Sequence, residues 1–140
     1  MRRSLALVVA CLAVSVACDN SDGGDSSLPT SPATLITDTF VGTVQPMASD
    51  AHNFTITQAG QVAITLTAAG PPPTIFMGLG VGSVGADGSC TLLPGGATST
   101  QAGANAQLSG TALAGNFCVV VFDIGNQSGP VNYTVTVSHT

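Results

Sequence analysis

An all-β fold, an antiparallel β-sandwich of jelly-roll-like type, is what this 140-residue sequence predicts. Three observations predict it. Val131, Tyr133, Val135 and Val137 alternate with Asn132, Thr134, Thr136 and Ser138, the two-residue period of a half-buried strand. Shorter runs of the same kind recur along the chain, separated by Gly, Pro, Asn and Asp. No segment carries the 3.6-residue apolar period of an amphipathic helix. Seven or eight short strands spaced by turn signals suit two packed sheets.

The strands follow in order. Phe40, Gly42 and Val44 share one face of a strand over 39–44, ended by Gln45-Pro46, and residues 47–52 are expected as a loop. Phe54 and Ile56 mark a second strand, Val62, Ile64 and Leu66 a third, and the short turn between them predicts a hairpin. Pro71-Pro72-Pro73 breaks the chain. Residues 75–81 are apolar but spaced by glycine, which predicts a bent or bulged strand. A short strand over 89–93 ends at Pro94-Gly95-Gly96; residues 97–105 read as a loop and 106–110 as an edge strand. Residues 115–123 are apolar on both faces, Phe117, Val119 and Val121 on one and Cys118, Val120 and Phe122 on the other. That pattern places this strand in the middle of a sheet, with the others packed around it.

Charge excludes several functions. Only 6% of residues are charged, against roughly 25% in ordinary soluble domains. Arg2 and Arg3 are the sole cations, and all seven acidic residues are Asp. Nucleic acid and phosphate ligands are excluded, because neutralising phosphates takes cationic side chains. Ion pairs to Lys or Arg are excluded for the same reason. Gly78-Leu-Gly80-Val-Gly82 therefore reads as strand glycine and not as a phosphate loop, since no cation and no helix start follows.

The N-terminus reads as an export address. Arg2 and Arg3 precede an apolar stretch over 5–16, the build of a signal peptide and too short for a bilayer-spanning helix of ~20 apolar residues. Ser15-Val16-Ala17-Cys18 resembles a bacterial lipobox, which implies cleavage before Cys18 and its lipidation. Val8-Val9-Ala10-Cys11 fits the same letters but lies too close to the arginines to leave an apolar core. Residues 1–17 are thus expected as a lipoprotein signal peptide, 18–33 as a lipidated Cys and flexible acidic linker, and 34–140 as the sandwich domain. The expected location is the bacterial cell envelope, with the membrane as partner through the anchor. Cys90 and Cys118, the pair left in an exported domain, are expected to form a disulfide.

Several pieces resemble a family. The Gly42-Thr-Val44 strand end, Asp50 before Phe54-Thr-Ile56, Ala59-Gly60 and Val62-Ala-Ile-Thr-Leu66 resemble the first half of a bacterial pre-peptidase C-terminal domain. Leu113-Ala-Gly-Asn-Phe-Cys-Val-Val-Val121 and Tyr133-Thr-Val-Thr-Val137 resemble its later strands. The resemblance covers about residues 36–140. It implies a jelly-roll sandwich carried by exported proteins, with binding of calcium, collagen or polysaccharide in some relatives. Thr74 stands where the family has an acidic residue.

No catalytic residue is expected. Ser49-Asp50-Ala51-His52 holds the letters of a Ser-His-Asp set, but neighbours in one segment do not make a triad and these residues suit a turn. His139, next to the last residue, is expected to fray. No cofactor is expected; calcium is the one ion the domain's carboxylates suit, through Asp50, Asp87 and Asp123. The functional expectation is a non-enzymatic, lipid-anchored envelope module that binds a polysaccharide or protein or serves a structural role. A calcium-dependent polysaccharide or matrix-protein binder is the alternative, and a hydrolase using His52 the remoter one.

Overall fold

A computed structural model describes residues 34–140, and residues 1–33, with the expected signal peptide, Cys18 and linker, lie outside the described part. The described chain is all-β. Eight strands run β1 (Ile36–Val44), β2 (Ser49–Ile56), β3 (Gly60–Gly70), β4 (Met77–Val84), β5 (Cys90–Thr100), β6 (Leu108–Ala112), β7 (Gly115–Phe122) and β8 (Val131–His139). They form two four-stranded antiparallel sheets, β1-β8-β3-β6 and β2-β7-β4-β5, the alternating order of a jelly roll.

The register follows from which face must be dry. β8 turns Val131, Tyr133, Val135, Val137 and His139 inward. It pairs on one side with β1, Phe40 opposite Val135, and on the other with β3, Ile64 opposite Val137. β7 lies between β2 and β4 and turns Val119 and Val121 to the core, where neither is exposed at all. Leu66, Val135 and Val137 of the first sheet and Met77 and Leu79 of the second are equally inaccessible to water. A one-residue slip in any of these strands would send its valines to solvent, so the apolar period pins the pairing.

The outer face of β7 is covered as well. Gly78, Gly80 and Gly82 of β4 alternate outward and form a groove. Phe122 lies over Gly78, Leu92 over Gly80, and Cys90 with Thr91 over Gly82. A Cβ at 82 would sit 3.0 Å from the Cys90 sulfur and closer still to the Thr91 carbonyl oxygen. Glycine there lets Cys90 on β5 reach Cys118 on β7 across β4, and the two form a disulfide with Cα atoms 5.8 Å apart. The Gly-spaced pattern of 78–82 thus serves close packing, and β4 is bulged between Gly80 and Gly82 as the glycines predicted.

Four expectations about elements are corrected. β2 and β3 do not form a hairpin: they belong to different sheets, and the 57–59 turn crosses between them. Period-2 patterning cannot tell pairing in one sheet from stacking across two. Ser49–His52 is strand and not loop, because β7 is long enough to pair it, Ser49 opposite Phe122. β5 does not end at Pro94: residues 93–96 bulge out and Ala97–Thr100 resume pairing with β4. β5 is a sheet edge, so Pro94 leaves no ladder partner unsatisfied. The expected 97–105 loop is therefore shortened to the residues after Thr100. His139 does not fray. It is 1% exposed, the last residue of β8, with its Nε2 3.1 Å from Asp38 Oδ2 and its ring against Phe54.

The disulfide closes a 28-residue separation, worth about 3.5 kcal/mol in the chain-entropy account. The double variant Cys90→Ala/Cys118→Ala is expected to lose about that much in a denaturant titration while keeping its β-sheet circular dichroism.

Candidate functional site

Strand direction sorts the connections to two ends of the sandwich. Ile36 pairs with His139 and Val44 with Val131, so the chain enters β1 at one end and the β1–β2 loop lies at the other. That far end also carries the β3–β4, β5–β6 and β7–β8 loops. Near the entry end lie the β4–β5 turn with Asp87 and the C-terminus.

The far-end loops are stapled together. Asp123, just after β7, accepts the Met47 N–H at 2.8 Å on one carboxylate oxygen. Its other oxygen accepts the Gly125, Asn126 and Gln127 N–H groups at 2.8, 3.1 and 3.3 Å. These backbone donors, Met47 first, hold the Asp123 carboxyl below the usual carboxylate range. Asn126 then donates its side-chain N–H to the Phe76 carbonyl at 3.0 Å, and the Gln101 amide donates to the Thr74 carbonyl. Four loops are thereby tied by three side chains.

The tied loops present apolar groups to solvent. Met47 is 93% exposed and has φ of 62°, the left-handed region that a side chain seldom occupies. Phe76 is 47% and Ile124 41% exposed. Beside Phe76 a hollow of about 610 Å³ is lined by Pro71, Pro72, Thr74, Asn126, Ser128 and Pro130. The arrangement offers an apolar surface with a few amide and hydroxyl groups, on loops tied by side-chain hydrogen bonds.

The three calcium candidates do not converge. Asp123 is spent on the backbone donors above. Asp87 is at the opposite end, in the 85–89 turn, where it accepts the Ser89 hydroxyl at 2.6 Å and the Ser89 N–H at 3.1 Å; these bonds lower its pKa. Asp50 lies on β2, bonded to Tyr133. Among the described residues no group of three or more His, Cys, Asp or Glu side chains is placed to hold a metal ion.

The Ser-Asp-Ala-His segment resolves by alternation. Asp50 and His52 face inward on β2 and Ser49 faces away. The two inward residues meet Tyr133 of β8. Tyr133 donates its single hydroxyl proton to Asp50 Oδ2 at 2.7 Å, so His52 Nε2, also at 2.7 Å, must be the donor to the tyrosine oxygen. His52 stacks on Phe40 with centroids 4.9 Å apart. A Cβ at Gly42 would overlap the Asp50 carboxylate and the Tyr133 hydroxyl, so glycine makes room for the cluster. This cluster closes the seam between the edge strands β1 and β2. Sequence reasoning found Asp50, His52 and an inward Tyr133 but not their meeting, and it did not single out Phe76, Met47 or the Asp123 staple. Comparison with protein-family models finds no match to the chain, and comparison with curated proteins finds none.

Burial, with the hydrogen bond and negative charge of Asp50, raises the Tyr133 pKa well above its usual range. The sign follows: the folded state keeps the neutral phenol while the unfolded chain ionises, so this stabilisation is whole below pH ~10 and is lost as pH climbs beyond it. Tyr133 is the only Tyr and there is no Trp, so tyrosinate absorbance reports this residue alone. That absorbance is expected to appear only with unfolding. Tyr133→Phe is expected to cost about 1–2 kcal/mol at neutral pH and to flatten the alkaline fall in a pH series of denaturant titrations.

Proposed function

We propose that this chain is a non-enzymatic, lipid-anchored protein of the bacterial cell envelope whose sandwich is a binding module. The pre-peptidase C-terminal resemblance belongs to the same proposal. The observation that carries it is the stapled loop end. Met47, held in a costly backbone conformation, and half-exposed Phe76 are displayed by loops that Asp123, Asn126 and Gln101 fix in place. Exposed apolar side chains on loops tied in this way are available as contact points for a partner. The Cys90–Cys118 disulfide suits an oxidising compartment outside the cytoplasm. Cys18, through its lipobox, supplies the anchor, and residues 19–33 the linker that joins the entry end of β1. Rigid loops at the end remote from that entry are where a tethered module would meet its partner.

A polysaccharide is the second reading. It is supported by half-exposed Phe76, which lines the same hollow as Thr74 and Ser128, an aromatic face with hydroxyl-bearing neighbours. The calcium-dependent form of that reading predicts loss of capture with chelator.

Two outcomes test the proposal. In membrane fractionation the wild type should sediment with membranes and Cys18→Ala should move to the soluble fraction; unchanged partitioning would remove the anchor. In capture from the source envelope extract, Phe76→Ser and Met47→Ser should each weaken retention roughly tenfold, as for buried anchors of an interface. Retention untouched by either would remove the loop end as the binding surface. Running each capture with calcium and with chelator separates the metal-dependent reading from the rest.

A further inference from the structure

The two long seams of the sandwich are closed differently. On the β1/β2 side Phe40, His52, Tyr133 and Asp50 fill the gap between the sheets. On the other side the edges are β6 and β5, and the gap stays open. It forms an apolar slot of about 260 Å³ that reaches inward to Ile56, Ile64 and Val81.

The sequence explains the slot. Leu108 and Ala112 of β6 pack against the core, and Gly110, between them on the same face, opposes Val62 in the register. A Cβ at 110 would meet nothing within 4 Å, so the place where a sandwich normally carries a core side chain is empty. The facing lip is the 93–96 bulge of β5, Leu93-Pro94-Gly95-Gly96, which carries no bulk into the gap beyond Leu93.

The lining selects its occupant. None of the lining residues is charged. The carboxylates of the described domain lie elsewhere: Asp38 and Asp50 on the sealed seam, Asp87 and Asp123 at the two ends. A charged head would find no counter-ion here. Dry apolar cavities of ~150 Å³ take up benzene, so 260 Å³ admits about eight to ten carbons. The mouth is bordered by the unpaired backbone edges of β5 and β6, whose N–H and C=O groups can receive an ester or alcohol. We propose that the β5/β6 slot is a binding site for one alkyl chain of a neutral amphiphile, of the class of an acyl ester of glycerol. The site is separate from the loop end, and the inference does not rest on the anchor or on that surface.

The test is an amide-resolved NMR titration of the full chain with monooctanoyl glycerol below its micelle concentration. Saturable shifts are expected at residues 92–96 and 108–112 and not at the far-end loops. Gly110→Leu places a side chain in the slot and is expected to abolish saturable binding. Gly110→Ala, the milder variant should the first not fold, is expected to weaken it roughly fourfold, about the burial of one methylene. Glycerol alone should give no shift, and octanoate should bind more weakly than the ester. Absence of saturable shifts in the wild type, or equal binding by a folded Gly110 variant, overturns the site. Equal or tighter binding of octanoate overturns the neutral class of ligand.

Discussion

Val119 and Val121 of β7 meet Leu66, Val135 and Val137 of the opposite sheet in a layer from which water is wholly excluded. Most of what distinguishes this domain follows from that contact. Arg2 and Arg3 are the sequence's only Lys or Arg residues, so the described domain contains neither. Stability therefore falls on the apolar layer, the ladders around it and the disulfide that ties β5 to β7. The nearest approach to an ion pair is His139 against Asp38, at the rim of the same layer.

Pinning the register in the core also decides what reaches the ends. With Val44 opposite Val131 and Ser49 opposite Phe122, the β1–β2 and β7–β8 loops must emerge side by side. Asp123 can then take the Met47 amide from across the gap. A single carboxylate with four backbone donors replaces the hydrophobic packing that short loops cannot supply. The loop end is rigid because its polar groups are spent on one another, and its apolar groups are left over for a partner.

The sandwich has two unlike seams because side-chain volume differs along its edges. Where β1 meets β2, glycine at 42 admits a tyrosine and a carboxylate, and Phe40 stacks on the neighbouring His52. Where β6 faces β5, nothing fills the space beside glycine at 110, and the facing strand is bulged at 93–96. Glycine serves the outer groove of β4 in yet another way, yielding space to Phe122, Leu92 and Cys90. The same residue type thus makes room for a network, for a void and for a disulfide, according to what lies opposite.

The all-β class, the inward valines of β7 and β8, the central place of β7 and the Cys90–Cys118 pair were legible in the sequence by itself, because alternation and local turn chemistry report which face of a strand is buried. The sequence alone also confines Lys and Arg to positions 2 and 3. Sheet membership, the persistence of β5 past Pro94, the burial of His139 and the meeting of Asp50, His52 and Tyr133 were decided only by the tertiary structure. So were the staple at Asp123, the exposure of Met47 and Phe76, and the slot beneath Gly110. Each of these joins residues dozens of positions apart, and such contacts depend on which strands stack and which edges stay unpaired. A period of two is identical for a strand that pairs with its neighbour and for one that packs across from it, so the local pattern carries no information about that choice.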